Sequence, residues 1–203
     1  MGMVIFKKNF AEYIKKVRTY NKIAGIAKIV RRYFAINGFD GVITIIGVLV
    51  GSYIIGIRDY INVVIAGVAI CISLGVSGVW SAYFSESAER KKEIDDLERS
   101  TLYALDKTVI NYAQKYASRV LAAVNGLSPV VTAFIPLVPF LFGKFISINI
   151  CYYLGFGLAF LILFGIGLFL GNVSKSNLII SGIKMVFAGI FCIVLSLLLK
   201  FLT

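Results

Sequence analysis

The sequence contains no histidine. That absence excludes HExxH metalloproteases, Ser-His intramembrane proteases, His-ligated haem and histidine-lined zinc sites, so carboxylate, carbonyl, thiol or thioether must hold any metal. Cysteine is scarce: Cys71, Cys151 and Cys192 lie in or beside apolar segments without CxxC spacing, and no disulfide framework follows. Proline is confined to one stretch, "LSPVVTAFIPLVPFLF", as Pro129, Pro136 and Pro139. Without histidine no nucleophile-base pair survives, and no apolar segment carries clustered aspartates, so an enzyme is not expected. There is no internal repeat, which leaves an inverted-repeat architecture without direct support.

Charged residues make up only 15% of the chain, while 59% is hydrophobic and the mean hydropathy is +0.90. These values lie well beyond those of a soluble domain and predict an integral, multi-pass protein of the cell membrane. The first 32 residues are basic and amphipathic and run directly into an apolar segment, unlike a cleavable secretory signal. A helical crossing needs roughly 20 apolar residues. Five segments qualify, at about 33–57, 61–84, 120–143, 151–171 and 178–201. The expected fold is therefore an all-α polytopic membrane protein with five transmembrane helices.

The net charge of +11 is concentrated rather than spread. Nine of the 21 Lys and Arg lie at or before Arg32, and seven more fall between Arg90 and Arg119. Both clusters flank apolar segments, the pattern of positive-inside topology signals that also meet anionic lipid headgroups, so no nucleic-acid partner is expected. With the N-terminus cytoplasmic, seventeen of the 21 cations fall on the cytoplasmic side. Four regions follow: a basic segment 1–32, whose Phe6, Phe10, Tyr13, Ile14 and Val17 share the face of a helix lying along the membrane surface; a transmembrane hairpin 33–84; a charged cytoplasmic segment 85–119; and helices three to five over 120–203.

Inside the first span, "YFAINGFDGVITIIGVLVG", sits an aspartate. A carboxylate near the middle of a span costs about 2.5–3.5 kcal/mol on insertion scales, so it is expected to face protein or water. At 100° per residue Asn37, Asp40, Thr44, Gly47 and Gly51 fall on one face, and small residues at this spacing let backbones approach closely. The stripe is expected to pack against another helix with Asp40 enclosed. Asn37 and Thr44 supply oxygens that can complete a cation's coordination beside the carboxylate. The other reading of Asp40 is an interhelical hydrogen-bond hub.

On the second helix Gly67, Cys71, Gly75, Gly78 and Ala82 share an arc that continues to Glu86, Glu89, Glu93 and Asp96. "SESAERKKEIDDLERS" is too polar to cross, so this helix extends into the cytoplasm. Its stacked carboxylates are either a solvated face or a device that gathers a divalent cation, with Cys71 as a soft ligand deeper in the membrane. In the third span Pro136 and Pro139 free the carbonyls of Thr132 and Ile135 and predict a kink. Gly155, Gly157, Gly165, Gly167 and Gly171 of the fourth span predict close helix packing.

"INGFDGVITIIGVLVG" resembles the first-helix signature of the vacuolar iron transporter family, in which an Asn-Asp-Gly stretch followed by threonine or serine carries the transport aspartate. "VIAGVAICIS", "SGVWSAYFSESAER" and "LSPVVTAFIPLVPFLF" resemble that family's second and third helices. The resemblance implies a homodimer exporting ferrous iron or manganese from the cytosol in exchange for protons, along a pathway lined by the first helices. Asp40 would be the transport carboxylate, and Glu86 and Glu89 resemble a glutamate pair of that family in spacing. In this chain Phe39 splits the Asn-Asp-Gly stretch, Cys71 stands where the family's second helix has methionine, and 85–119 is short and lacks methionine. The expected function is a proton-coupled divalent metal transporter without a resident cofactor, whose metal sites draw on Asp40, Glu86, Glu89 and Glu93 and whose path includes Asn37, Thr44 and Cys71. Proton and metal compete for Asp40, because burial favours the protonated acid and a bound cation the ionised one. The alternative is a non-transporting membrane scaffold or regulatory subunit.

Overall fold

A computed structural model describes residues 17–105 and 108–198. The described chain is helical, with no strand, and five of its helices are long and apolar enough to span a membrane. A helical stretch over 17–23 ends at Gly25, whose φ of 59° is a left-handed conformation that suits glycine. From there α1 runs Ile26–Ile55, α2 Tyr60–Thr101 and α3 Val109–Phe134. A 3-10 turn at Ile135–Leu137 and a one-turn helix α4, Val138–Leu141, complete the third crossing. Then follow α5, Ile148–Val173, and α6, Leu178–Leu198.

Helix boundaries depart from hydropathy where charge and backbone chemistry intervene. α1 begins at Ile26, so Lys28, Arg31 and Arg32 ride on the transmembrane helix instead of a separate surface segment. Of the amphipathic face expected before it, Phe6, Phe10, Tyr13 and Ile14 lie outside the described residues. Ala24 and Ile26 are buried against Ala113, Ala117 and Leu121, and Tyr20 meets the Tyr116 ring at 5.7 Å. The chain entering α1 therefore docks on α3. Gly56, at φ 80°, closes α1, and the Asp59 carboxylate accepts from the Ile61 amide at 2.9 Å to start α2.

Two long helices turn the polar segment 85–119 into a helical hairpin. α2 continues without interruption to Thr101 and α3 begins at Val109, with Thr108 as its N-cap, so the two run antiparallel beyond the apolar zone. The expected extension of α2 is present, and the start of α3 accompanies it.

α3 is the hub. Its serine and threonine side meets α1: Ser128 donates to the Phe34 carbonyl at 2.8 Å and Thr132 to that of Gly38 at 2.8 Å. A Cβ on Gly41 would lie 2.5 Å from Thr132 Oγ1 and 2.7 Å from Pro129 Cα, so only glycine fits. The stripe of α2 faces the other side of α3. A Cβ on Gly78 would come within 2.9 Å of the Asn125 carbonyl, and one on Gly126 within 2.7 Å of the Gly75 carbonyl. Cys71 and Ala82 are buried along the same seam. Small residues here let three backbones meet.

At the prolines the α-helix tightens into the 3-10 turn, and the freed Ile135 carbonyl accepts from the Val138 amide. Pro136, Leu137, Pro139 and Phe140 are all buried, and Phe140 stacks edge-on with Tyr152, which meets Tyr53. Gly155 crosses directly over the Pro136 carbonyl, where a Cβ would sit 3.0 Å away. The kink thus fits the bundle. Of the other α5 glycines, Gly167 and Gly171 admit Gly182 and Ser181 of α6, whereas Gly157 and Gly165 face open space. Apolar residues of α1 (Ala35, Val42, Ile46, Val50) join Ala159, Leu163 and Ile166 in a second core cluster.

Replacing Gly126 by alanine should destabilise the protein by about 1–3 kcal/mol through overpacking. Gly157→Ala, at an open helical position, should be neutral or stabilising by up to about 1 kcal/mol. Thermal unfolding of the two variants in detergent checks the contrast.

Candidate functional site

The hydrogen bonds from Ser128 and Thr132 to the α1 backbone set the rotation of α1, and that rotation decides where its polar side chains point. Asn37 turns inward: its amide donates to the Asn125 side chain at 2.7 Å and to the Tyr33 carbonyl at 2.7 Å, and Asn125 in turn donates to the Gly78 carbonyl at 2.8 Å. Asn37 is therefore a pin linking α1, α3 and α2, and it does not share a face with Asp40 as expected.

Asp40, midway along α1, points out of the protomer and is exposed. Its enclosure within one chain is corrected. The carboxylate has no hydrogen-bond or ion-pair partner among the described residues, and the interhelical hub is not formed within one chain. Thr44, one turn on, donates its hydroxyl to the Asp40 carbonyl at 2.7 Å, and a hydroxyl oxygen so engaged keeps lone pairs free to accept. Beyond it, Gly47 and Gly51 have nothing within 4 Å of an added Cβ. The outward face of α1 is thus a carboxylate, a hydroxyl and a bare G-x-x-x-G strip, "GVLVG". The expected small-residue stripe exists, but among the described residues nothing packs on Gly47 or Gly51.

Cys71 lies elsewhere. It is 3% exposed and packs with Ala133 and Leu137 in the core between α2 and α3, away from the outward face of α1. In this structure Cys71 packs between α2 and α3, apart from Asp40.

The acidic arc of α2 is largely taken up by structure. Arg90, only 7% exposed, reaches Glu86 at 3.4 Å and Glu93 at 3.6 Å, and its Nη1 donates to Gln114 of α3 at 2.6 Å. Glu86 also accepts from the Tyr33 hydroxyl of α1 at 2.5 Å, and Glu93 from Gln114 at 3.0 Å. Glu86 and Glu93 clamp an arginine and tie three helices together. Glu89 is exposed and unpartnered among the described residues. Those residues contain no group of three or more Cys, Asp or Glu placed to hold a metal ion. Sequence reasoning missed Arg90, Gln114 and Asn125, although an arginine three or four residues from two glutamates is a visible pairing signal.

The chain is 32% identical over 158 residues to the uncharacterized protein MJ0645 of Methanocaldococcus jannaschii, an alignment covering 76% of this chain and 80% of the archaeal protein. No family model matches the chain, and no solved structure matches it.

The Arg90 clamp makes a direct prediction. Arg90→Ala leaves the poorly solvated Glu86 carboxylate without a counter-charge, with the Tyr33 hydroxyl as its remaining partner, and should cost up to about 3 kcal/mol, the lower end for broken buried pairs. Glu89→Gln should change stability by less than about 0.5 kcal/mol. Limited proteolysis of the α2–α3 hairpin, alongside thermal unfolding, reads both.

Proposed function

We propose that this chain, which belongs to the family of the archaeal protein MJ0645, is a proton-coupled transporter of divalent metal, ferrous iron or manganese, working as a pair of copies with Asp40 of each at the shared face. The observation that carries the reading is the unpartnered carboxylate on the open small-residue strip of α1. A lone protomer would turn that carboxylate to lipid, at about 2.5–3.5 kcal/mol on insertion scales. A second copy removes the exposure. The Gly47 and Gly51 strip is suited to close contact with an identical helix, and a two-fold arrangement brings the same residues of both chains together.

Two carboxylates facing each other across such an axis repel unless a proton or a cation lies between them. A divalent ion or protons can relieve the repulsion, but not both fully at once, so loading one releases the other. Exchange of metal for protons follows from that competition. The Thr44 hydroxyls and exposed backbone oxygens supply hard ligands suited to manganese or ferrous iron. Asn37 and Cys71 have no part in this site. The resemblance of "INGFDGVITIIGVLVG" to the vacuolar iron transporters supports the same reading and rests on those residues alone. The excess of Lys and Arg near the start of α1 and in the α2–α3 hairpin supports a cytoplasmic N-terminus, with export from the cytosol.

In proteoliposomes with an imposed pH gradient, the native chain should move manganese or ferrous iron and acidify or alkalinise the lumen in step. Asp40→Asn, which keeps the shape and removes the charge, should reduce the rate by at least about tenfold, the equivalent of 1.4 kcal/mol in the barrier. Transport by Asp40→Asn at the native rate would overturn the shared-site mechanism. No metal movement by the native chain would favour the scaffold reading.

A further inference from the structure

Beyond the apolar zone, the α2–α3 hairpin encloses a cleft of about 520 Å³ that the transport reading does not use. Its walls carry Lys91 from α2 and Lys115 and Arg119 from α3. None of these three cations has an ion-pair partner among the described residues. Arg90 also lines the cleft, but its charge is engaged by Glu86 and Glu93. Among the described residues, Asp95 is the one carboxylate on the walls. Among the described residues, three free cations therefore share with one anion a recess large enough for a phosphate and a polar substituent.

Two of the lining residues fix the level of the cleft. Ser118, 3% exposed, and Tyr83 line it, and Tyr83 belongs to an aromatic group in which its ring meets Phe84 at 5.8 Å and Phe84 meets Trp80 at 5.6 Å. Trp80 and Phe84 are exposed on the outside of α2. Tryptophan and tyrosine gather where hydrocarbon gives way to headgroups, so the cations above them stand at phosphate depth. The hairpin walls are positioned by the Arg90–Gln114 contact and by the buried Ile94 and Asn111. This makes a formed recess rather than a set of loose surface lysines.

We propose that this cleft binds a phosphate-bearing anion, with Lys91, Lys115 and Arg119 as its ligands. Arginine offers paired donors to phosphate oxygens and lysine a point charge. The same chemistry is met by a phospholipid headgroup entering from the membrane side and by a soluble phosphate monoester entering from water.

Binding to the whole chain in neutral detergent separates these sources, using dioleoyl phosphatidylglycerol as one probe and glycerol phosphate as the other, with the shift in thermal unfolding as readout. At least one probe should saturate. Saturation by the lipid alone identifies a headgroup site; saturation by glycerol phosphate identifies a site for a free phosphate compound. Lys115→Gln with Arg119→Gln should raise the half-saturating concentration roughly tenfold or more, since each surface cation near anionic headgroups contributes appreciably. Lys22→Gln with Lys28→Gln, which removes the same charge from the N-terminal side, should shift it by less than about twofold. Lys91→Gln, on the facing wall and exposed, supplies an independent variant should the first pair fold poorly. Failure of both probes to saturate, or equal weakening by the two double variants, overturns the proposal.

Discussion

The rotation of α1 about its own axis governs everything else in the molecule. Two hydroxyl donors, Ser128 and Thr132, bond to the Phe34 and Gly38 carbonyls, and Gly41 lets Pro129 and Thr132 approach too closely for any other residue. In a membrane, where lipid tails are as apolar as the side chains they replace, such close backbone packing and interhelical hydrogen bonds do the work that hydrophobic burial does in water. Once this side of α1 is committed to α3, and Ala35, Val42 and Ile46 to α5, the face bearing Asp40 has nowhere to point but outward. A charge is left uncovered because small residues elsewhere on the helix hold their partners so firmly.

The same economy of small residues builds the second seam. Gly75 and Gly78 of α2 meet Gly126 and Asn125 of α3, and the seam continues past the apolar zone as Arg90, Gln114 and their glutamates. A polar ladder thus replaces the glycine ladder at the depth where water becomes available. Glu86 accepting from Tyr33 ties this ladder back to α1, so the outward setting of Asp40 and the form of the hairpin are parts of one arrangement.

The five crossings were legible because hydropathy and length determine them almost alone, and the observed helices overlap every segment read from the sequence. The α2 stripe and the bend at Pro136 and Pro139 were legible for similar reasons: glycine spacing and a missing amide are local properties. What the sequence left open was which of several faces of α1 would meet a neighbour. Gly38 and Gly41 offer one small-residue face and Gly47 and Gly51 another, and only the complementary Ser128, Pro129 and Thr132 of α3 decide between them. Asn37 lies 60° from Asp40 on a helical wheel, close enough to be grouped with it and far enough to belong to a different contact. The contacts that Glu93 makes with Gln114 and Glu86 with Tyr33 were hidden in the same way, since those partners lie on other helices. Extension of α3 down to Val109 was hidden by the polarity of its first turns.

The central claim is that Asp40 of two copies meets at one site that holds a divalent ion. Manganese titration of the chain in nanodiscs, followed by electron paramagnetic resonance, tests it without requiring transport. The account predicts about one tightly held ion per two chains, lost in Asp40→Asn and displaced on acidification. A chain that stays single in the bilayer, or manganese retained undiminished by Asp40→Asn, would contradict it.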